Sequence, residues 1–322
     1  MTNPFKKTIC YTDKELIEIS FSAASKIVKK EKFKDSIIEN ARQKEGIRIK
    51  VSANKLIELL KNSYNSFPKN VNKFYYEITD VLIGYEKIQK SLKTIKFLIN
   101  KIRSLQIIFL KKLENAKHTN EFRNIRKEFY GRVSRLLKKK KSYLNTLVEA
   151  GKVLRKLPEI KDMKTIIIAG FPNVGKSSLL WKLTGSKPEI QPYPFTTKGL
   201  MIGYFEHNFK KIQIIDTPGL LDRPISKRNK IEMQTIIALK NIANYIIYVF
   251  DLSETCGWEL EKQISLYNEI KNLFNIPVIL VANKIDISEK NINKLKIDNI
   301  LKVSCETEEG IEDLKNEIKK LL

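Results

Sequence analysis

Eight residues limit the fold of this 322-residue chain more than anything else in it. Gly170-Phe-Pro-Asn-Val-Gly175-Lys176-Ser177 satisfies GxxxxGK(S/T), follows the β-branched run Thr165 to Ala169 and opens a helical pattern from Lys176 to Leu183. A strand turning through two glycines directly into a helix N-terminus aims successive backbone N–H groups at one point, where an anion is favoured. In this context the N–H groups from Asn173, Val174, Gly175, Lys176, Ser177 and Ser178, with Gly170 opening the turn, are expected to surround a β-phosphate. Lys176 then bridges β- and γ-phosphates, and the Ser177 hydroxyl is a Mg²⁺ ligand. Tight strand-to-helix packing would explain the glycines but neither Lys176 nor Ser177.

The surroundings supply the rest of an α/β domain. Met201 to Phe205, Lys211 to Ile215, Tyr245 to Phe250, Pro277 to Val281 and Ile300 to Val303 read as short strands. Helical patterns over Lys230 to Asn241, Trp258 to Phe274 and Ile311 to Leu322 separate most of them, which predicts a mostly parallel sheet. Only Glu206 to Lys210 joins Met201–Phe205 to Lys211–Ile215, which are therefore an antiparallel pair. Ligand sits beyond the carboxyl ends of such strands. Two tetrapeptides fall there. Asp216-Thr-Pro-Gly219 places Asp216 to hold a Mg²⁺ water and the Gly219 amide to meet a γ-phosphate. Asn283-Lys284-Ile-Asp286 offers a carboxylate, the one side chain able to accept from both N1–H and N2–H of guanine. Asp286 thus selects guanine over adenine, with Asn283 at N7 and Lys284 along the base plane. Ser304-Cys305, after the last strand, would bring the Cys305 amide to guanine O6.

The N-terminal half has a different character. Of the formal charge of +24, residues 1–160 carry +21, with 37 basic against 16 acidic residues, and residues 161–322 carry +3. This points to a polyanionic partner, because each Lys or Arg set on a phosphate releases a counterion. No proline occurs between Pro68 and Pro158. Apolar residues from Val71 to Leu113 recur at three- and four-residue intervals, predicting one helix from Val71 to Ala116, about 70 Å long at ~1.5 Å per residue. Phe122 to Leu154 supplies an antiparallel partner after a polar turn at Lys117 to Asn120, and shorter helical patterns precede both. The division expected is residues 1–160, an all-α bundle with a long antiparallel helical hairpin, and residues 161–322, an α/β P-loop domain whose mostly parallel sheet has one antiparallel edge pair.

On the second hairpin helix Arg123, Lys127, Lys138, Lys141, Lys152 and Lys156 fall opposite the apolar stripe as one basic line, with Lys139 beside it, and few acids stand four residues away to neutralise them. They are the nucleic-acid candidates; a solvated helix face is the plain alternative. Lys140 falls on the apolar face, where only snorkelling of its stem accounts for it. Cys10, Cys256 and Cys305 are too few and too scattered for a disulfide framework or zinc site, and the apolar runs are too short to span a bilayer. A cytoplasmic protein is expected.

The motif order resembles the Obg superfamily of translation-factor-related GTPases. The runs Phe171 to Ser178, Gln191-Pro-Tyr-Pro-Phe-Thr-Thr-Lys198, Ile215 to Asp222, Ile231-Glu-Met-Gln234 and Asp251-Leu-Ser-Glu-Thr-Cys-Gly257 are similar to the nucleolar GTP-binding protein 1 family. The likeness extends back through the helical part and Arg155-Lys-Leu-Pro158, and a chain ending at Leu322 resembles the short archaeal type. It implies binding and hydrolysis of GTP, with GDP as product, and assistance to assembly of the large ribosomal subunit. The helical domain would then dock on ribosomal RNA of the precursor particle, with other assembly factors as further partners. Membrane and DNA are not expected partners, and off the ribosome the chain is expected to be a monomer.

By motif, Thr197 of the Thr196-Thr197 pair resembles the switch threonine that completes the Mg²⁺ shell and offers its amide to the γ-phosphate. Ser186 to Gly199 would be the first switch and Gly219 to about Gln234 the second. Leu220 stands where Ras-like enzymes place a water-orienting glutamine, so intrinsic hydrolysis is expected to be slow. Asn173 resembles the P-loop asparagine of K⁺-stimulated relatives, which leaves K⁺ assistance as an open alternative. Lys176, Thr197, Gly219 and Asn173 form the expected catalytic group. Arg223, Lys227 and Arg228 are expected in a solvated mobile loop rather than as an arginine finger. Two other readings stand beside this one: a nucleotide-binding RNA clamp with negligible turnover, and a membrane-associated signalling GTPase, which lacks a lipidation signature.

Overall fold

The computed structural model describes residues 3–31, 35–194, 196, 198–287 and 299–322. In the N-terminal half these form α1 (Asp13–Lys30), α2 (Ile37–Ser66), α3 (Lys73–Leu82), α4 (Tyr85–Glu114), α5 (Thr119–Lys139) and α6 (Lys141–Leu154). By packing, the chain divides into a helical unit, Pro4–Asn70 with Leu82–Arg155, and a sheet unit that joins Val71–Val81 to Lys156–Leu322. The division expected from the sequence falls between residues 160 and 161. Val71–Val81, N-terminal to that division, packs with the sheet.

Within the helical unit α4 buries Ile88, Leu92, Ile95, Leu98, Ile102, Leu105, Phe109 and Leu113, the stripe its periodicity marks out. Lys112 pairs with Glu128, the Phe109 and Phe129 rings meet edge to face at 5.6 Å, and Lys140 lies over Phe97. The contact point on α4 thus moves back along the chain as α5 and α6 advance. Two expected continuous helices are interrupted. The run from Val71 to Ala116 breaks before α4, because Gly84 sits at φ 89°, outside the helical region, and glycine is the residue that takes such a value without steric penalty. The partner helix breaks at Lys140 (φ −108°, ψ 13°), where the ammonium rests 5.6 Å from the centres of both Phe97 and Tyr143. A continuous helix would have driven this lysine into the apolar stripe; the break lifts its charge to a half-buried cation–π position.

The sheet unit has strands β1 (Thr165–Ala169), β2 (Glu189–Gln191), β3 (Leu200–His207), β4 (Lys210–Asp216), β5 (Tyr245–Asp251), β6 (Val278–Asn283) and β7 (Leu301–Lys302) in the order β2-β3-β4-β1-β5-β6-β7. β1 pairs in parallel with β4 and β5, β6 with β5 and β7, and β3 runs antiparallel to β2 and β4. Helices α7 (Lys176–Thr184), α8 (Lys230–Lys240), α9 (Leu260–Phe274) and α10 (Ile311–Lys319) connect or flank them. β1 is buried at every position, as a central parallel strand must be. β2 is a strand the residue pattern did not show: three residues are too few for a period, and only pairing with β3 defines it. α3 belongs to this unit through Phe74, stacked 6.1 Å from Tyr193, and through the Tyr75 hydroxyl, which donates to the Pro158 carbonyl at 2.8 Å. Among the described residues no helix is long and apolar enough to cross a membrane.

Candidate nucleotide site

The carboxyl ends of β1, β4, β5 and β6 bring four loops together. After β1, Gly170 (φ 140°) and Gly175 (φ 97°) admit no side chain: a Cβ would stand 2.5 Å from the Val249 carbonyl oxygen at the first and would collide with Asn283 Nδ2 at the second. Lys176 opens α7 and turns back over its own loop, its Nζ donating to the carbonyls of Gly170 at 2.8 Å and Phe171 at 2.6 Å. Burial lowers the pKa of this ammonium, against the pull of Asp216 and Asp222. The Ser177 hydroxyl donates to Asp216 Oδ2 at 2.7 Å. Asp216 is fully buried, and burial raises its pKa while Lys176 and the Ser177 bond lower it.

Asp216 Oδ1 and Thr217 Oγ1 are buried without a hydrogen-bond partner among the described residues. An unpaired carboxylate oxygen beside a serine hydroxyl is a hard-oxygen donor set, and it fits a Mg²⁺ ion with its waters. The Gly219 amide, at φ 86°, donates to Asp222 Oδ2 at 2.8 Å.

Asn283, 2% exposed, braces two loops at once: Nδ2 donates to the Val174 carbonyl at 2.9 Å and Oδ1 accepts from the Cys305 amide at 3.1 Å. The Cys305 amide expected at guanine O6 is therefore engaged with Asn283 here, and burial pushes the Cys305 thiol up to about 11. Ser304 is buried, its hydroxyl accepting from the amides of Glu306 and Thr307. Lys284 (φ 64°) donates to Asp251 Oδ2 at 2.7 Å and Thr255 Oγ1 at 3.0 Å, while Asp286 stands exposed. Thr196 is turned into its own loop, donating to the Tyr193 carbonyl at 2.7 Å and accepting from the Gly199 amide at 3.0 Å. Thr197 lies outside the described residues.

Three functional groupings were not legible in the residue pattern. Asp251 closes β5 and its carboxylate accepts from Ser253, Thr255, the Cys256 amide and Lys284, so it positions the guanine-motif lysine. Its place at the carboxyl end of a strand was the available signal. Trp258 stacks on the P-loop residue Phe171 at 4.5 Å, and Gln263 ties the Trp258 carbonyl to the backbone of Asp251. Arg228 corrects the expectation of a solvated loop: its side chain is 0% exposed and its guanidinium donates to the carbonyls of Gly219, at 2.7 Å, and Leu220. Arg223 is exposed and paired with Glu232.

In the helical unit Arg123, Lys127, Lys138 and Lys139 on α5, and Lys141 and Lys152 on α6, are exposed, and none has an ion pair at 4.0 Å or less among the described residues. The single line expected of them is divided by the break at Lys140. Lys156 is exposed beyond the end of α6, and belongs to the sheet unit.

A mixed, mostly parallel sheet with a glycine-bounded phosphate loop after β1 and Asp-Thr-Pro-Gly and Asn-Lys-Ile-Asp loops along the same edge defines a P-loop GTPase fold. The chain belongs to the nucleolar GTP-binding protein 1 family: the profile of the NOG1 N-terminal helical domain matches residues 5–161, and that of nucleolar GTP-binding protein 1 (NOG1) matches residues 230–286. An uncharacterized protein of Methanocaldococcus jannaschii is 39% identical over 89% of this chain and 82% of its own length. Nucleolar GTP-binding protein 1 of Encephalitozoon cuniculi is 33% identical over 83% of this chain and 53% of its own, so the chain spans about half the length of that curated relative. A crystal structure of nucleolar GTP-binding protein 1 from Plasmodium falciparum is 39% identical, covering 51% of this chain and 89% of that one at a TM-score of 0.46.

Proposed function

We propose that this chain binds and hydrolyses GTP as an assembly factor for the large ribosomal subunit, with its basic helical domain on ribosomal RNA. One observation carries the nucleotide reading: Lys176, Ser177, Asp216, the Gly219 amide, Asn283 and Lys284 converge on the carboxyl edge of one sheet, joined by hydrogen bonds between loops some 40 to 110 residues apart. The relatives named for nucleolar GTP binding support the assembly role, and the exposed, unpaired cations of α5 and α6 support an RNA partner.

In this reading Lys176 leaves the loop carbonyls for the β- and γ-phosphates. Ser177 and Thr197 would ligate Mg²⁺ and Asp216 would hold one of its waters, and the ion would offset the phosphate charge. Asp286 takes guanine N1–H and N2–H, Lys284 lies against the base and Asn283 keeps the loops in register. Asn173, at φ 63°, stands at the turn where K⁺ would assist. Leu220 is 1% exposed and cannot orient a water, so stabilisation of the transition state comes from outside this loop. That same leucine favours the second reading, an RNA clamp that holds nucleotide without turnover.

Turnover measured with and without large-subunit precursor particles separates the two readings: stimulation by the particles supports the assembly GTPase, and negligible turnover in both supports the clamp. Asp286→Asn should move preference from guanine toward xanthine nucleotides; unchanged GTP affinity would remove Asp286 from the base site.

A further inference from the structure

The segment after β4 is held at both ends. The Gly170 amide, at the start of the P-loop, donates to the Leu221 carbonyl at 3.1 Å, and the guanidinium of Arg228 donates to the carbonyls of Gly219 and Leu220. Leu220 and Leu221 are each 1% exposed, which fixes the middle of the segment by burial. Between these anchors the Gly219 N–H points to Asp222 Oδ2 at 2.8 Å, and Asp222 Oδ1 lies 3.4 Å from Arg228. The arginine thus sets the loop and holds the carboxylate that takes its amide. Its Nε, also buried, has no partner among the described residues, so this guanidinium is not fully satisfied where it lies. A cavity of about 750 Å³ adjoins the loop, lined by Phe171, Gly219, Asp222 and Pro224 among others, and gives the Asp222 carboxylate space to leave.

We propose that Asp222 and Arg228 are a specificity pair that sets the preference of this site for nucleoside triphosphate over diphosphate, by holding the Gly219 amide in a competing hydrogen bond. The proposal rests on the reading that this amide meets the γ-phosphate. One N–H cannot serve two anions, and a γ-phosphate arriving at Gly219 both takes the proton donor and repels the Asp222 carboxylate. A diphosphate does not reach this amide and leaves the bond intact. Part of the binding free energy of the triphosphate is therefore used to break the Asp222 contact, and the measured preference is smaller than the γ-phosphate contacts alone would give.

The test compares affinities for GDP and a non-hydrolysable GTP analogue in Mg²⁺, by displacement of fluorescent GDP from the full chain. Asp222→Ala should raise the affinity for the analogue about tenfold relative to GDP, the scale of a hydrogen bond to a charged group, with GDP affinity within twofold of the native protein. Asp222→Asn, which keeps an acceptor for the amide but removes the charge that strengthens this bond and repels the phosphate, should move the ratio part of the way toward that of Asp222→Ala. Arg228→Lys keeps a buried charge but replaces the planar fork, whose two nitrogens serve the Gly219 and Leu220 carbonyls and Asp222, by a single ammonium nitrogen, and should move the ratio in the same direction as Asp222→Ala. A ratio unchanged in both Asp222→Ala and Arg228→Lys, or an equal loss of both affinities, overturns the proposal. Gly219→Ala separates the underlying reading: it keeps the N–H but forces a side chain into φ 86°, and so shifts the amide from its place. A selective loss of analogue binding there, with the Asp222 ratio unmoved, leaves the γ-phosphate contact standing and the specificity pair refuted. No effect of Gly219→Ala on either nucleotide removes the contact and the proposal with it.

Discussion

The sheet unit buries a cluster of charges around its nucleotide site, and the helical unit displays most of its own. Around the nucleotide site Lys176, Asp216, Arg228 and Asp251 are all 9% exposed or less, each held by hydrogen bonds to backbone or side chain. In the helical unit Asp13 and Glu45 are the buried carboxylates among the described residues, Glu45 accepting from Arg48 at 2.7 Å and from Arg126, while most of the cations lie at the surface. Burying a charge costs several kcal/mol unless it is paired, so a cluster of such charges marks where geometry is being held for chemistry. Exposed, unpaired lysines hold no geometry, and they suit a partner recognised by its charge density.

The largest effect should come from breaking the buried side. Lys176→Ala removes a charge from a buried phosphate loop and should weaken guanine-nucleotide binding by about 100-fold, roughly 3 kcal/mol, as read by fluorescent-nucleotide titration. A smaller loss would mean that the loop amides alone hold the phosphates.

Asp251→Asn comes next. Burial pushes this carboxyl up, but the hydrogen bonds from Lys284 and Ser253 outweigh it and hold it below its ordinary value. A depressed folded-state pKa stabilises the fold above the unfolded value of about 3.9 and loses that contribution as pH falls through the folded value. Urea denaturation should therefore show a cost of ~2 kcal/mol for Asp251→Asn at pH 7, shrinking below about pH 3.9. A cost independent of pH would mean that the charge of Asp251 is not what matters.

On the exposed side, replacing Lys138, Lys139 and Lys141 together by Gln should leave folding unchanged and reduce the salt slope of RNA binding by roughly 2 to 3. An unaltered slope would make these lysines a solvated face. The smallest effect should be Gly84→Ala, which forces a side chain into φ 89° and should cost about 1 kcal/mol in thermal or denaturant unfolding.

Legibility divides along the same line. The P-loop, the two tetrapeptides and six of the seven strands could be read directly, because each motif is contiguous and its neighbours carry the period of a strand or helix. Arg228 could not. It stands among Arg223, Lys227 and Lys230 in a polar stretch, and nothing local separates the one that folds inward from those that stay in water. Asp251 was visible at a strand end, but its claim on Lys284, 33 residues away, exists only after β5 and β6 pair in parallel. The breaks at Gly84 and Lys140 were missed because apolar periodicity continues across both.

The sequence by itself determined that this chain carries a phosphate loop on an α/β sheet, a guanine motif behind it and a helical half with most of the charge, since these depend on contiguous residues and composition. Only the tertiary structure decided that α3 packs with the sheet, that Asn283 braces two loops, and that the Gly219 amide is held by Asp222 and Arg228. Such contacts depend on which distant groups are taken out of water together, and burial of that kind has no local period to announce it.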